Sequence, residues 1–240
     1  MTLSDVPDDW IYNGPMGDTI RYMRETGFHE WGFVIYRCVY GDDDIWNRYI
    51  AALKEDVHED LDYNGRDLLL EQYAQWAVVE DKDALDGAPK SRVRQRFVEW
   101  RNQHSVSRGV SPVPLPTDAS NRLPRFTYCL YVDQKCLDTL RAHVNAKAAR
   151  RAPGLGPRPP PLVAVVIDGD FCQPDSDADV GSQRYPPIDG CTDNYVGWQY
   201  YNVRYLATLY DSLHRGHLNG YFEYKRPPAI GPSGRQSMEN

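Results

Sequence analysis

Arg37, Gln75, Tyr131 and Asp168 are polar residues set inside segments otherwise rich in strand-forming residues. Their types suit a site that needs no cofactor. An arginine and a carboxylate orient a carbonyl or carboxylate ligand, and a phenol supplies a proton donor. If the alternation phases match, the four share one face of a sheet. A simpler reading of the same residues is a buried Arg37–Asp168 ion pair inside a structural network. On the first reading the four form the ligand-binding set, with no catalytic residue assigned. Arg37→Met is then expected to abolish binding and leave the fold intact.

Other chemistries lack their residues. A phosphate cradle needs a glycine-rich turn after a strand, and neither G-x-G-x-x-G nor G-x-x-x-x-G-K-[ST] occurs. The stretch Gly154-Leu155-Gly156-Pro157 sits in a proline-rich loop, where proline removes a needed donor. Of the six histidines, only His214 and His217 are close in sequence. They read as cations at a helix C-terminus rather than as zinc ligands. Asp168 and Asp170 follow an apolar run, and Asp175, Asp177 and Asp179 alternate nearby, without the Gly and Glu of a calcium loop. They read as a solvated acidic loop. No G-x-S-x-G elbow is present, and Cys129 reads as a small core residue. Phe126, Tyr128 and Tyr131 lack the glycine and basic pattern of an RNA-binding strand, which disfavours nucleic acid as a partner. No metal or nucleotide cofactor is expected.

The elements that must position these residues follow from pattern. Residues 31–40, 70–80, 125–132 and 162–168 read as strands, the last apolar almost throughout and therefore central. Asp42, Asp43 and Asp44 supply an N-cap and first-turn acids for a helix over residues 44–57, where Ile45, Tyr49, Leu53 and Val57 recur at helical spacing. A second helix covers residues 91–103, with Val93, Phe97 and Trp100 inward. Asp133 caps a third over 134–145. Trp198, Tyr201, Tyr205, Leu209 and Leu213 place a last, aromatic helix over 194–214. Residues 105–124 and the basic, proline-rich stretch 146–161 read as loops.

Strand–helix alternation, with weak echoes between residues 33–53 and 126–144, predicts an α+β fold. The expected form is a ferredoxin-like four-stranded sheet with an inserted helix and the aromatic C-terminal helix. The alternative is an α/β three-layer parallel sheet. The expected organisation is an irregular N-terminal arm over 1–28, a single domain over 29–228 and a flexible tail over 229–240. A pocket between the sheet and the last helix is the natural ligand site.

The 240 residues carry a net charge of -7, and the sign is segregated. Residues 1–90 hold 20 acids and 8 bases, residues 91–161 hold 4 and 13, and residues 162–240 hold 10 and 6. A basic middle could attract an anionic partner, but the chain's own acidic first third can satisfy it, and that reading is preferred. Mean hydropathy is -0.63, and no run nears the roughly 18 apolar residues of a membrane span. The first residues, MTLSDVPDDW, resemble neither a secretory signal nor a mitochondrial presequence, so a cytoplasmic location is expected. Five cysteines with wide spacing and no C-x-x-C point to reduced thiols.

The blocks WGFVIYRCVYGDDDIW, LDGAPKSRVRQRFVEW, RFTYCLYVD and CTDNYVGWQYYNVRYL resemble a large set of uncharacterised proteins of filamentous ascomycete fungi, over residues 31–228. The resemblance brings no activity and assigns no catalytic residue. By analogy it suggests specialised metabolism, conflict or self/non-self roles. The expected function is binding of a small organic ligand or a protein partner, as an accessory protein of fungal specialised metabolism. The alternatives are a cofactor-free isomerase or cyclase using the same pocket, and an interaction module using the basic 91–161 surface.

Overall fold

The computed structural model describes residues 1–104, 123–149, 159–173, 185–220 and 224–238. Residues Leu162 to Ile167 are apolar, and each is 0% exposed. Such a segment must pair its backbone on both edges and cover both its faces. It forms β4 (Val163–Asp168). On one side lies β3 (Tyr128–Val132), antiparallel, with Tyr131 opposite Val165 and Tyr128 opposite Asp168. On the other lies β5 (Trp198–Asn202), also antiparallel, with Tyr200 opposite Val165. β1 (Val34–Arg37) runs parallel beside β3, placing Tyr36 opposite Tyr131. Two short strands close the edges: β2 (Val78–Val79) parallel to β1, and β6 (Ile230–Gly231) parallel to β5. The order is β2-β1-β3-β4-β5-β6.

The sheet is therefore six-stranded and mixed. It is not the expected ferredoxin-like four-stranded sheet, nor the all-parallel alternative. The main difference lies at residues 198–202. Their aromatic residues also fit helical spacing, but β4 has a second edge to satisfy, and the Trp-Gln-Tyr-Tyr run suits a pleated, buried surface. Asn202 ends the strand, its side chain accepting a hydrogen bond from the Arg204 backbone at 3.1 Å. The expected aromatic C-terminal helix shrinks to Leu206–Ser212. The expected strand over 70–80 is likewise only Val78–Val79, preceded by a helical turn at Glu71–Tyr73.

Helices cover both faces. We number the longer ones α1 (Gly17–Thr26), α2 (Asp43–Tyr63), α3 (Lys90–His104), α4 (Gln134–Ala149) and α5 (Leu206–Ser212). Tyr36, Tyr131, Val165 and Tyr200 stand on one register line of one face. Phe97 of α3 meets Tyr36 there, edge to face, with ring centroids 6.5 Å apart. On the other face Tyr210 of α5 packs against Phe33 at 5.2 Å, and α5 contacts α2. The echo between the halves is real at the local level. Each of β1 and β3 leads to an aspartate cap: Asp42 accepts from the Ile45 amide at 2.9 Å, and Asp133 from the Cys136 amide at 3.1 Å. Tyr49 ties α2 to the sheet by donating to the Val163 carbonyl at 2.7 Å, a buried bond that contributes about 1 kcal/mol.

Residues 1–28 are not an irregular arm. Two short helical segments and α1 place Met16, Ile20 and Met23 in the common core. Asp211 of α5 accepts both the Thr19 amide (2.7 Å) and the Thr19 hydroxyl (2.8 Å). The sequence concealed α1 because its first turn has no side-chain cap and follows the Gly14-Pro15 punctuation. Residues 229–238 of the expected tail make contacts of their own: Ala229 bridges Ser237, and the Ile230 amide donates to the Gln236 carbonyl at 2.8 Å.

Three described bases of the middle segment pair with the acidic first third. Arg96 pairs with Asp81, Arg125 with Glu30, and Lys147 with Glu55, Asp56 and Glu59, each joining the basic middle to the acidic first third. Among the described residues, no helix is long and apolar enough to cross a membrane.

Candidate functional site

The four sequence-predicted site residues do not converge. Arg37 lies level with Val132 and Asp168 level with Tyr128, four residues apart along β3, or roughly 13 Å along the strand direction. Tyr131 stands on the opposite face of β3 from Leu130 and Val132. Gln75 acts through its backbone. Its amide donates to the Trp31 carbonyl at 2.8 Å, and its carbonyl accepts from Arg125. The predicted Arg37–Asp168 ion pair is also not formed.

Each residue instead anchors its own neighbourhood. Arg37, 5% exposed, donates to the Val39 carbonyl at 2.8 Å and pairs with Asp43 and Glu80. Its guanidinium also lies over the rings of Tyr40 and Trp46. Tyr131 donates to the Ala88 carbonyl at 3.1 Å, and burial pushes its phenol far above the ordinary value. Asp168 accepts from the Tyr195 hydroxyl at 2.6 Å and from the Asp170 amide at 2.9 Å. Burial raises its carboxyl against the opposing pull of Tyr195. Beside it, Arg94 bonds the carbonyls of Asp168 and Gly197. Gly197 has φ +73°, and a Cβ there would lie 2.2 Å from Phe171, so only glycine fits.

Polar clusters that sequence reasoning missed lie elsewhere. Asp56 of α2 and His143 of α4 meet in the interior, with Lys147 alongside. The signal was present. Asp56 shares a helical stripe with Tyr49 and Leu53, and His143 shares one with Cys136 and Leu140. A polar residue on an inward stripe marks a buried network. His214 is not the expected helix-end cation. Burial, and then the charge of Arg21, push it down to about 3, so the ring is neutral. Among the described residues, no group of three His, Cys, Asp or Glu side chains could hold a metal ion. Asp175, Asp177, Asp179 and the Gly154–Pro157 stretch lie outside the described residues, as do residues 105–122 and 150–158 of the two expected loops.

The candidate binding site is a cleft of about 550 Å³ between the first half of α4 and the 230–238 segment. Its volume lies within the roughly 300–1,000 Å³ of small-molecule sites. Val163 and Ile230 form its buried base, and Ala142, Pro160, Pro161 and Met238 add apolar wall. Lys135, Asp138, Gln236 and Ser237 supply the polar part of its lining. Asp138 is held by the Gln134 side-chain amide at 2.8 Å. Thr139 fixes the wall to the sheet: it accepts from the Val163 amide at 3.2 Å and donates to the Cys136 carbonyl at 2.6 Å.

Comparison of the chain with protein-family profiles, with curated proteins and with solved structures finds no match.

Proposed function

We propose that this protein binds a small, largely apolar organic molecule in the cleft between α4 and residues 230–238. One observation carries the reading: an apolar base of Val163 and Ile230 beside a polar lining that includes Lys135, Gln236 and Ser237. Apolar surface supplies the driving force, and a few polar groups fix orientation. The resemblance to ascomycete proteins supports a ligand drawn from fungal specialised metabolism, with this chain as an accessory binding protein. Binding is favoured over an isomerase or cyclase activity. Of the cleft's lining residues only Lys135 and Asp138 are ionisable, and Asp138 is already engaged. The interaction-module reading would use the bases of 91–161, some of which, such as Arg150 and Arg151, lie outside the described residues; of the described ones, Arg94, Arg96 and Arg101 of α3 already make contacts within the chain.

The test uses an anilinonaphthalene sulfonate dye as the probe, displaced by medium-chain fatty acids. The intact chain is expected to enhance dye fluorescence saturably. Ala142→Trp fills the cleft from an exposed position and is expected to abolish that signal at unchanged melting temperature. Equal dye binding by both proteins would refute the site.

A further inference from the structure

Pro160 joins the α4 cleft to the protein interior. It walls the cleft, and its carbonyl lies 2.8 Å from Nδ1 of His143. With Pro161 it also lines a pocket of about 30 Å³ that His143, Asp56 and Lys147 share. Pro159, Pro160 and Pro161 have no backbone N–H, so this stretch of wall can be hydrogen-bonded only through its carbonyls. The imidazole of His143 supplies one such bond.

The opposite ring nitrogen, Nε2, lies 3.2 Å from Oδ1 of Asp56. Both partners only accept, so a ring that satisfies both carries two protons. A ring with one proton satisfies one partner. A bond to a carboxylate is roughly twice as strong as one to a neutral carbonyl, so the remaining proton stays on Nε2. The Nδ1 lone pair then faces the Pro160 oxygen, and the two repel. Among the described residues, the ionisable groups that share this pocket with the ring are Asp56 and Glu59 of α2, Lys147 of α4, and Arg204 and Tyr205 beyond β5. Lys147 lies 2.9 Å from Asp56 and 2.8 Å from Glu59, and it keeps the Asp56 carboxylate charged when the ring is neutral. Burial opposes the ring's second proton, as does the charge of Lys147, but Asp56 and the Pro160 carbonyl outweigh them.

We propose that His143 is a proton-operated latch on the α4 cleft: the doubly protonated ring holds Pro160 and the cleft binds tightly, and loss of one proton releases Pro160 and weakens binding. This regulation rests on the α4 cleft being the binding site.

The test follows binding of N-phenyl-1-naphthylamine, an apolar dye that stays uncharged from about pH 6 to about pH 10, so the charges of Lys135 and Asp138 have no counterpart on the probe. On the same protein, ¹⁵N-histidine NMR reads the His143 midpoint. Carbonyl-¹³C proline labelling reads the Pro160 bond without any dye. The dissociation constant is expected to rise about three- to tenfold through the His143 midpoint, and the Pro160 carbonyl signal to move with it. Asp56→Asn should bind tightly at every pH, because asparagine can donate to Nε2 and leave the single ring proton for Pro160. His143→Gln should bind at the weak level throughout, with near-UV circular dichroism showing that it is folded. The latch falls, and the cleft stands, if Ala142→Trp abolishes dye binding but neither the affinity nor the Pro160 signal follows the His143 midpoint. It falls also if Asp56→Asn keeps the pH dependence of the parent protein. If the Pro160 signal follows His143 but Ala142→Trp binds the dye equally, the cleft reading falls and the proposal with it.

Discussion

His143 on α4 and Asp56 on α2 face each other across the interior, Nε2 to Oδ1 at 3.2 Å, each at most 3% exposed. The other ring nitrogen of His143 lies 2.8 Å from the Pro160 carbonyl. A carbonyl and a carboxylate only accept, so both ring nitrogens must donate and the ring is a cation. Lys147, 2.9 Å from the same Asp56 oxygen, keeps that carboxylate ionised. The pair closes α2 onto α4 and fixes Pro160, which also walls the cleft.

This geometry sets a pH dependence. Burial alone would lower His143, but Asp56 and the Pro160 carbonyl override it and hold the ring above its ordinary value. Burial alone would raise Asp56, but His143 and Lys147 hold it below its ordinary value. A raised histidine stabilises fully below its unfolded pKa of about 6.5 and loses that contribution as pH rises through the folded value. A depressed aspartate stabilises above about 3.8 and loses that contribution as pH falls through its folded value. Urea unfolding should show His143→Gln more destabilising at about pH 5.5 than at about pH 8.5. An equal difference at the two pH values would show that the ring is neutral in the folded state.

Arg37→Met is expected to weaken the fold rather than ligand binding. It removes the bond to Val39 and the contacts over Tyr40 and Trp46 at the end of β1. Its acidic partners Asp43 and Glu80 are exposed, so their ion pairs add little. The expected loss is about 1–3 kcal/mol in denaturant titration, with dye binding at the α4 cleft unchanged in the folded protein. Loss of dye binding at full stability would return Arg37 to the site.

The thiols should divide sharply. Cys172 is exposed, whereas Cys38, Cys129, Cys136 and Cys191 are buried. Burial pushes Cys38 up to about 12 and Cys129 and Cys136 well above their ordinary value. A native titration with an aromatic disulfide reagent should read one fast thiol, and denaturation should release the other four. A second fast thiol would contradict the burial of the sheet around Cys129 and Cys136.

What was legible in the sequence was local. The aspartate caps at Asp42 and Asp133, the inward stripe of α3 and the apolar run of β4 are each written in adjacent residues. The candidate cleft was not, since its walls come from α4, Pro160–Pro161 and the last residues of the chain. No spacing rule connects Ala142 to Met238.

By itself the sequence determined that the β4 run is buried and where α2, α3 and α4 begin, because caps and apolar periodicity act over a few residues. Only the tertiary structure decided that Trp198–Asn202 is a strand, that Arg37 and Asp168 lie apart, and that His143 carries its proton. Those outcomes depend on partners distant in the chain. A strand is defined by the edge it meets, and a buried charge by the groups that enclose it.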